Sequence, residues 1–280
     1  MIIGISGKIG SGKDTVGKII QYLTYSKNNR MSFSSFCLLQ ERWYNEDDWQ
    51  IKKFAGKLKQ IVSILTGIPV EDLEKEEVKN RVLGEEWIRY GYANGFIQKD
   101  GKTIMNNEAC SKETYEQELK INWQTAYKHQ YTVRDILQLI GTEAMRNVIH
   151  PNIWVNALFA DYKEEIDVNH FKSFKGENSK MIYPNWVITD VRFPNELQAI
   201  KDRGGISIRV NRTLESQTRD RLNKEKGLTL TNNNFNKSIF DDLREFEHPS
   251  ETALDNAKFD YVIDNNGTIE ELIEKVKKIL

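Results

Sequence analysis

The chain has 280 residues, 39% of them hydrophobic and 29% charged, with a formal net charge of −1 at pH 7. That is enough for one large or two small domains with a true core, and it leaves no concentrated positive field for a polynucleotide partner. Cys37 and Cys110 make neither a disulfide framework nor a zinc site, and His129, His150, His170 and His248 show no ligand spacing. Met1 leads straight into an apolar strand without a basic leader, and no apolar run is long enough for a bilayer, so a cytoplasmic protein with no membrane partner is expected.

Residues 1–6, with the apolar run Ile2-Ile3-Gly4-Ile5, predict a buried strand, and residues 12–26 a helix with Val16, Ile19, Ile20 and Leu23 on one face. Between them stands Gly7-Lys-Ile-Gly-Ser-Gly-Lys-Asp-Thr15. This is the phosphate-loop pattern G-x-x-x-x-G-K-[ST] with Asp14 where the hydroxyl belongs. Glycines at 7, 10 and 12 let successive N–H groups turn inward as an anion nest, and the helix start adds its positive end. Gly10, Ser11, Gly12, Lys13, Asp14 and Thr15 are therefore the expected triphosphate site. Lys13 supplies a point charge between the β- and γ-phosphates. Thr15 brings the hydroxyl one position late, to the phosphates or to Mg²⁺. A bare glycine turn is the competing explanation, and the flanking strand and helix argue against it.

Residues 27–50 are polar and aromatic, with no clean period. Residues 50–54 predict a short strand, and Leu58, Ile61, Val62 and Leu65 a helix ended by Gly67-Ile-Pro69. Residues 85–110 carry two hairpin signals, Asn94-Gly95 and Asp100-Gly101, and predict a β-hairpin insertion followed by a polar helix over 112–129. The aromatic residues Trp87, Tyr90, Tyr92 and Phe96 fit either a homodimer interface or a local core. Thr132-Val-Arg-Asp135 is a near capping box for a helix broken at His150-Pro151, with a second helix after it. Residues 164–182 read as a charged surface loop. Trp186-Val-Ile188 predicts a buried strand ending at Asp190. Phe193-Pro194 then opens a helix closed by Gly204-Gly205, and residues 206–210 form a strand. Residues 212–247 are charged, then Asn-rich, and lid-like. Residues 258–263 give the last strand, and Thr268-Ile-Glu-Glu271 caps the last helix. Strands alternating with helices predict an α/β fold with a parallel sheet covered on both faces.

Ligands of such sheets sit at the carboxyl ends of the strands. There, Asp190 stands where a magnesium-holding aspartate would, with Arg192 in reach of a phosphate and Glu196 opening a helix; a plain Asp–Arg pair is the alternative. Arg134, Gln138 and Thr142 stripe one helix face, equally suited to a ligand or to solvent. Trp154 can stack on a base or belong to the core. Arg212, Arg219 and Arg221 can close over developing charge or serve as solvated surface. Asn265-Asn266-Gly267 forms a polar turn suited to holding adenine through backbone contacts.

Taken together, the loop at 7–15, Phe54-Ala-Gly-Lys-Leu-Lys59, Leu137-Gln-Leu-Ile-Gly-Thr-Glu143, His150-Pro-Asn-Ile-Trp-Val155, Thr189-Asp-Val-Arg-Phe-Pro-Asn-Glu196, His248-Pro-Ser-Glu251 and Asp260-Tyr-Val-Ile-Asp-Asn-Asn-Gly-Thr268 resemble the deoxynucleoside monophosphate kinases of bacteriophages and some bacteria. The stretches at 138–143 and 190–196 are the specific ones. The resemblance implies a P-loop kinase fold: a five-stranded parallel sheet flanked by helices, with a helical acceptor region and a lid, all in one domain. It implies transfer of the ATP γ-phosphoryl group to a deoxynucleoside monophosphate, with Mg²⁺, in the host cytoplasm if the gene is a phage's. It puts Lys13 and Thr15 on the donor phosphates, and Lys59, Arg134, Gln138, Trp154, Asp190, Arg192 and Glu196 around the acceptor and metal. Gly56-Lys57 depart from the family's Asp-Pro. Dephospho-coenzyme A kinase is the rival enzyme, and a nucleotide-dependent switch or assembly ATPase the rival of another class.

Overall fold

The computed structural model describes residues 1–25, 31–43, 49–99, 102–121, 126–166, 181–213, 216 and 252–280. In chain order the elements used below are β1 (Ile2–Ser6), α1 (Lys13–Thr24), α2 (Phe33–Trp43), β2 (Gln50–Lys52), α3 (Ala55–Thr66), α4 (Glu76–Lys79), β3 (Ile88–Lys99), β4 (Lys102–Cys110), α5 (Lys112–Ile121), β5 (Ala126–Gln130), α6 (Val133–Gln138), α7 (Ile153–Phe159), β6 (Glu165–Ile166), β7 (Met181–Ile182), β8 (Trp186–Val191), α8 (Pro194–Lys201), β9 (Ile206–Asn211), β10 (Tyr261–Asp264) and α9 (Ile269–Lys277). They fall into two units, Met1–Lys57 with Asn152–Leu280, and Leu58–Pro151.

The first unit is built on β1, all five residues of which are buried. A strand apolar on both faces belongs at the centre of a parallel sheet, and β1 sits at the middle of the order β10-β9-β1-β8-β2. Every neighbouring pair in that sheet is parallel. Ile3, Ile5, Val187, Ile208, Val210 and Ile263 face Val16, Ile19 and Ile20 of α1 and Leu272 and Val276 of α9. Each fully buried side chain of this size contributes about 1.5–3 kcal/mol of apolar transfer. The opposite face meets α8, where Ile200 stands against Gly4. The fold is thus the expected α/β one, a five-stranded parallel sheet flanked by helices.

Capping sets the helix starts. Glu196 Oε2 accepts the N–H groups of Arg192 (2.8 Å) and Phe193 (3.1 Å) at the head of α8. Thr268 Oγ1 accepts the N–H of Glu271 (3.3 Å) at the head of α9.

The second unit holds an antiparallel sheet of order β4-β3-β5 and an apolar cluster of Val62, Ile68, Leu73, Leu83, Val133 and Ile136. Lys99 pairs with Lys102 in the β3–β4 hairpin, and the expected turn residues Asp100-Gly101 lie outside the described residues. Asn94-Gly95 makes no turn; it falls at a register shift between Ala93 and Phe96. Thr132 and Asp135 form the capping box of α6, with Thr132 Oγ1 accepting the N–H of Asp135 (3.2 Å) and Asp135 Oδ2 accepting that of Thr132 (2.8 Å). The helix continues as a π-helical stretch, Leu139–Ile149, and ends at His150. Trp87 packs on the local cluster and Tyr90 on Tyr115 of α5, with ring centroids 5.1 Å apart.

Further expectations change. The polar helix over 112–129 stops at Ile121, and residues 126–130 are β5, which pairs with β3 and completes a three-stranded sheet. The stretch 27–50, polar and aromatic without a clean period, contains α2, whose Phe36 is buried against Tyr22 of α1; its short, irregular apolar spacing hid it. The surface loop 164–182 begins and ends in the paired strands β6 and β7, with residues 167–180 outside the described set. The strand expected to end at Asp190 runs on to Val191, and its register against β1 shifts between Ile188 and Val191. Among the described residues, no helix is long and apolar enough to cross a membrane.

Candidate active site

The carboxyl ends of the parallel strands collect the chemistry. β1 delivers the glycine loop, β2 delivers Lys53, β8 carries Asp190 and leads into Arg192, β9 leads to Arg212, and β10 leads to Asn265 and Gly267. This is the edge at which parallel α/β sheets bind ligands.

The loop from Gly7 to Gly12 is internally tied. Ser11 N–H donates to Lys8 O (3.1 Å), and Val16 N–H to Gly12 O (3.0 Å). Gly12 caps α1 at φ 95° with no side-chain bond, so the cap itself covers none of the first-turn N–H groups. Lys13 Nζ donates to the carbonyls of Gly7 (2.5 Å) and Lys8 (2.8 Å), lying back along the loop. Ser11 is 1% exposed, and its hydroxyl oxygen has no hydrogen-bond partner among the described residues. A second strand end locks the loop: Asn265 Nδ2 donates to Ser11 O (2.9 Å), and its own N–H to Asn211 O (2.8 Å). The expected adenine contact of Asn265 concerned its backbone; the side chain proves to be a brace for the phosphate loop. Gly267 lies in the turn between β10 and α9.

Asp14 turns toward β8. Thr189 Oγ1 donates to Asp14 Oδ1 (2.7 Å), and Lys53 Nζ stands 3.3 Å from the same oxygen. Burial raises the Asp14 carboxyl, but the Thr189 hydrogen bond and the charges of Lys53 and Lys13 outweigh it, and the net shift is downward. Asp14 is therefore an anion at neutral pH.

Asp190 has both oxygens engaged. Oδ1 accepts Phe54 N–H (2.8 Å) and Oδ2 accepts Ala55 N–H (2.9 Å), so the carboxylate seats the first turn of α3. Burial pushes its carboxyl above the usual range, opposed by those two amides and by the charges of Arg192 and Lys53. Glu196, 2% exposed, is spent largely on capping α8 and on holding the backbone of Arg192. Trp154, on α7, is 5% exposed, a core position in this conformation. Arg212 is half-buried, just after β9. Arg219 and Arg221, with most of the lid-like segment 212–247, lie outside the described residues.

Lys59, Arg134 and Gln138 belong to the second unit. Lys59 pairs with Glu74. Arg134 pairs with Glu76, and its Nε donates to Asn80 Oδ1 (3.2 Å). Gln138 is exposed one turn further along α6. Beside them the space over Gly141 is filled by Leu58, whose Cδ2 lies 2.8 Å from where a Cβ would sit; that glycine accommodates a side chain of its own unit.

Sequence reasoning missed Lys53 and Thr189. Lys53 follows β2 at the ligand edge, and the strand-end rule that flagged Asp190 flags it equally. Thr189 lies inside the stretch that carried the family resemblance, but no spacing rule pairs residue 189 with residue 14.

A family model for deoxynucleotide monophosphate kinase matches residues 1–246. The deoxynucleoside-5'-monophosphate kinase of Escherichia phage T5 is 25% identical over 223 residues, covering 72% of this chain and 72% of that protein. A protein of Acanthamoeba polyphaga mimivirus, provisionally named a deoxynucleotide monophosphate kinase, is 29% identical over 147 residues, 52% of this chain and 59% of that protein. The family match stops short of β10, so the bracing role of Asn265 stands on geometry alone.

Proposed function

We propose that this chain, which belongs to the deoxynucleotide monophosphate kinase family and is a nucleotide kinase, moves the γ-phosphoryl group of ATP onto a deoxynucleoside monophosphate, giving the diphosphate and ADP. One observation carries the donor half: a braced glycine loop with Lys13 and the head of α1 at the ligand edge of a parallel sheet. The acceptor phosphate is already an anion, so the protein needs no strong general base. Its work is positioning and charge neutralisation.

In this account the N–H groups of residues 10 and 12–15 and the Lys13 ammonium hold the donor phosphates. Arg192, its backbone held by Glu196, faces the transferred group. Arg134, Gln138 and Lys59 serve the acceptor, with Trp154 beside its base, and Arg212, Arg219 and Arg221 close from the lid. Residues 1–280 then act as one kinase domain, free of polynucleotide and membrane partners, in the cytoplasm. Mg²⁺ fits the donor set, since Thr15 and Asp190 offer only hard oxygens and magnesium takes few protein ligands beside phosphate and water. When bound it would offset the negative charge of the donor phosphates. Homodimerisation through the aromatic hairpin is not required by any of this.

The test is acceptor-dependent ADP release, coupled to NADH oxidation, over dTMP, dGMP, dCMP, dAMP and dephospho-coenzyme A. ADP release with at least one deoxynucleotide, and none with dephospho-coenzyme A, is expected. Release that ignores every deoxynucleotide would favour a switch ATPase and sink the proposal.

A further inference from the structure

The acidic residue inside the phosphate loop is an electrostatic liability. Asp14 follows Lys13 directly, and a carboxylate there repels the phosphates that the loop amides attract. Its side chain is 63% exposed, so packing alone does not fix where it points. Two groups do. The buried Thr189, 1% exposed, gives its hydroxyl hydrogen to Asp14 Oδ1 at 2.7 Å, and Lys53 Nζ approaches the same oxygen at 3.3 Å. Thr189 sits on β8 where the register against β1 slips, and it reaches Asp14 in the first turn of α1. The approach is close: a Cβ on Gly17 would lie 2.6 Å from Thr189 Cγ2.

We propose that Thr189 is a positioning residue that holds the Asp14 carboxylate against Lys53 and away from the donor phosphates, so that the acidic spelling of the loop still binds ATP. This rests on the donor role of residues 7–15. Thr189 touches neither substrate; it acts through Asp14. Val at 189 keeps the shape and loses the hydroxyl, and its methyl group cannot remain 2.7 Å from a carboxylate oxygen, so Asp14 is released. Ser keeps the hydroxyl. Asn at 14 keeps an acceptor oxygen and loses the charge, so the state of residue 189 ceases to matter to the phosphates.

Equilibrium ATP binding, measured by calorimetry with a chelator present so that no metal masks the carboxylate, separates these cases without reference to turnover. Thr189→Val should weaken ATP binding by about tenfold, the loss of one hydrogen bond to a charged group. Thr189→Ser should stay within about twofold of wild type. Thr189→Val placed on Asp14→Asn should bind as tightly as Asp14→Asn alone, a non-additivity that a merely structural threonine does not produce. Thr189→Ala, run on both backgrounds, serves if valine is not accommodated beside Gly17. Wild type that binds no ATP overturns the donor role itself. Wild type that binds ATP while Thr189→Val binds equally well, or while its loss persists undiminished on Asp14→Asn, overturns the positioning role alone.

Discussion

Lys13→Ala is expected to lower kcat by about a hundred- to a thousandfold, the usual loss when one preorganised charge at the transferred group is removed, or about 3–4 kcal/mol of transition-state stabilisation. Stability should change little. Lys13 donates to the carbonyls of Gly7 and Lys8, which water satisfies readily at a half-exposed site. Steady-state kinetics with thermal unfolding of the same samples check both halves. Near-normal turnover in a folded Lys13→Ala protein would remove the phosphate loop from the mechanism.

Gly12→Ala should be the next most damaging change, and Gly204→Ala is its natural control. Both glycines have positive φ, 95° and 68°. An alanine at either costs about 1 kcal/mol for the left-handed backbone. At Gly204 no described residue lies within 4 Å of the added Cβ, so that cost is the expected effect. At Gly12 the Cβ runs into Asn265 Nδ2, the group that braces Ser11 O. Relief requires the brace to open, so the loop loses its shape as well as its backbone comfort. ATP binding should therefore fall by at least about tenfold in Gly12→Ala and stay unchanged in Gly204→Ala. Equal effects in the two variants would show that the Asn265 brace contributes nothing to the loop.

The parallel sheet was legible because its signals are local. Four apolar residues before a glycine loop, a Pro at the head of α8 and Thr268 at the head of α9 each act within a few residues of themselves. The insertion was legible only in part. Asp100-Gly101 gave the hairpin, but β5 is short and polar, with Lys128, His129 and Gln130 exposed, and it is a strand because β3 offers an edge to pair with. Pairing partners distant in sequence leave no period to detect. The same limit applies to the site. Asp190 and Arg192 announced themselves by standing at a strand end. That Asp190 also seats α3 through two amides, that Asn265 reaches Ser11, and that Thr189 reaches Asp14 are contacts across 135, 254 and 175 residues. The odd Asp14 in the loop was visible from the outset; its partners were not.

The claim at the centre is phosphoryl transfer from ATP to a deoxynucleoside monophosphate. ATP labelled in its γ-phosphate, incubated with the protein, Mg²⁺ and each deoxynucleoside monophosphate in turn, tests it most directly by chromatography of the products. The account predicts label in a deoxynucleoside diphosphate, formed in step with ADP and absent with Lys13→Ala. Label recovered only as inorganic phosphate, whatever monophosphate is present, would contradict it.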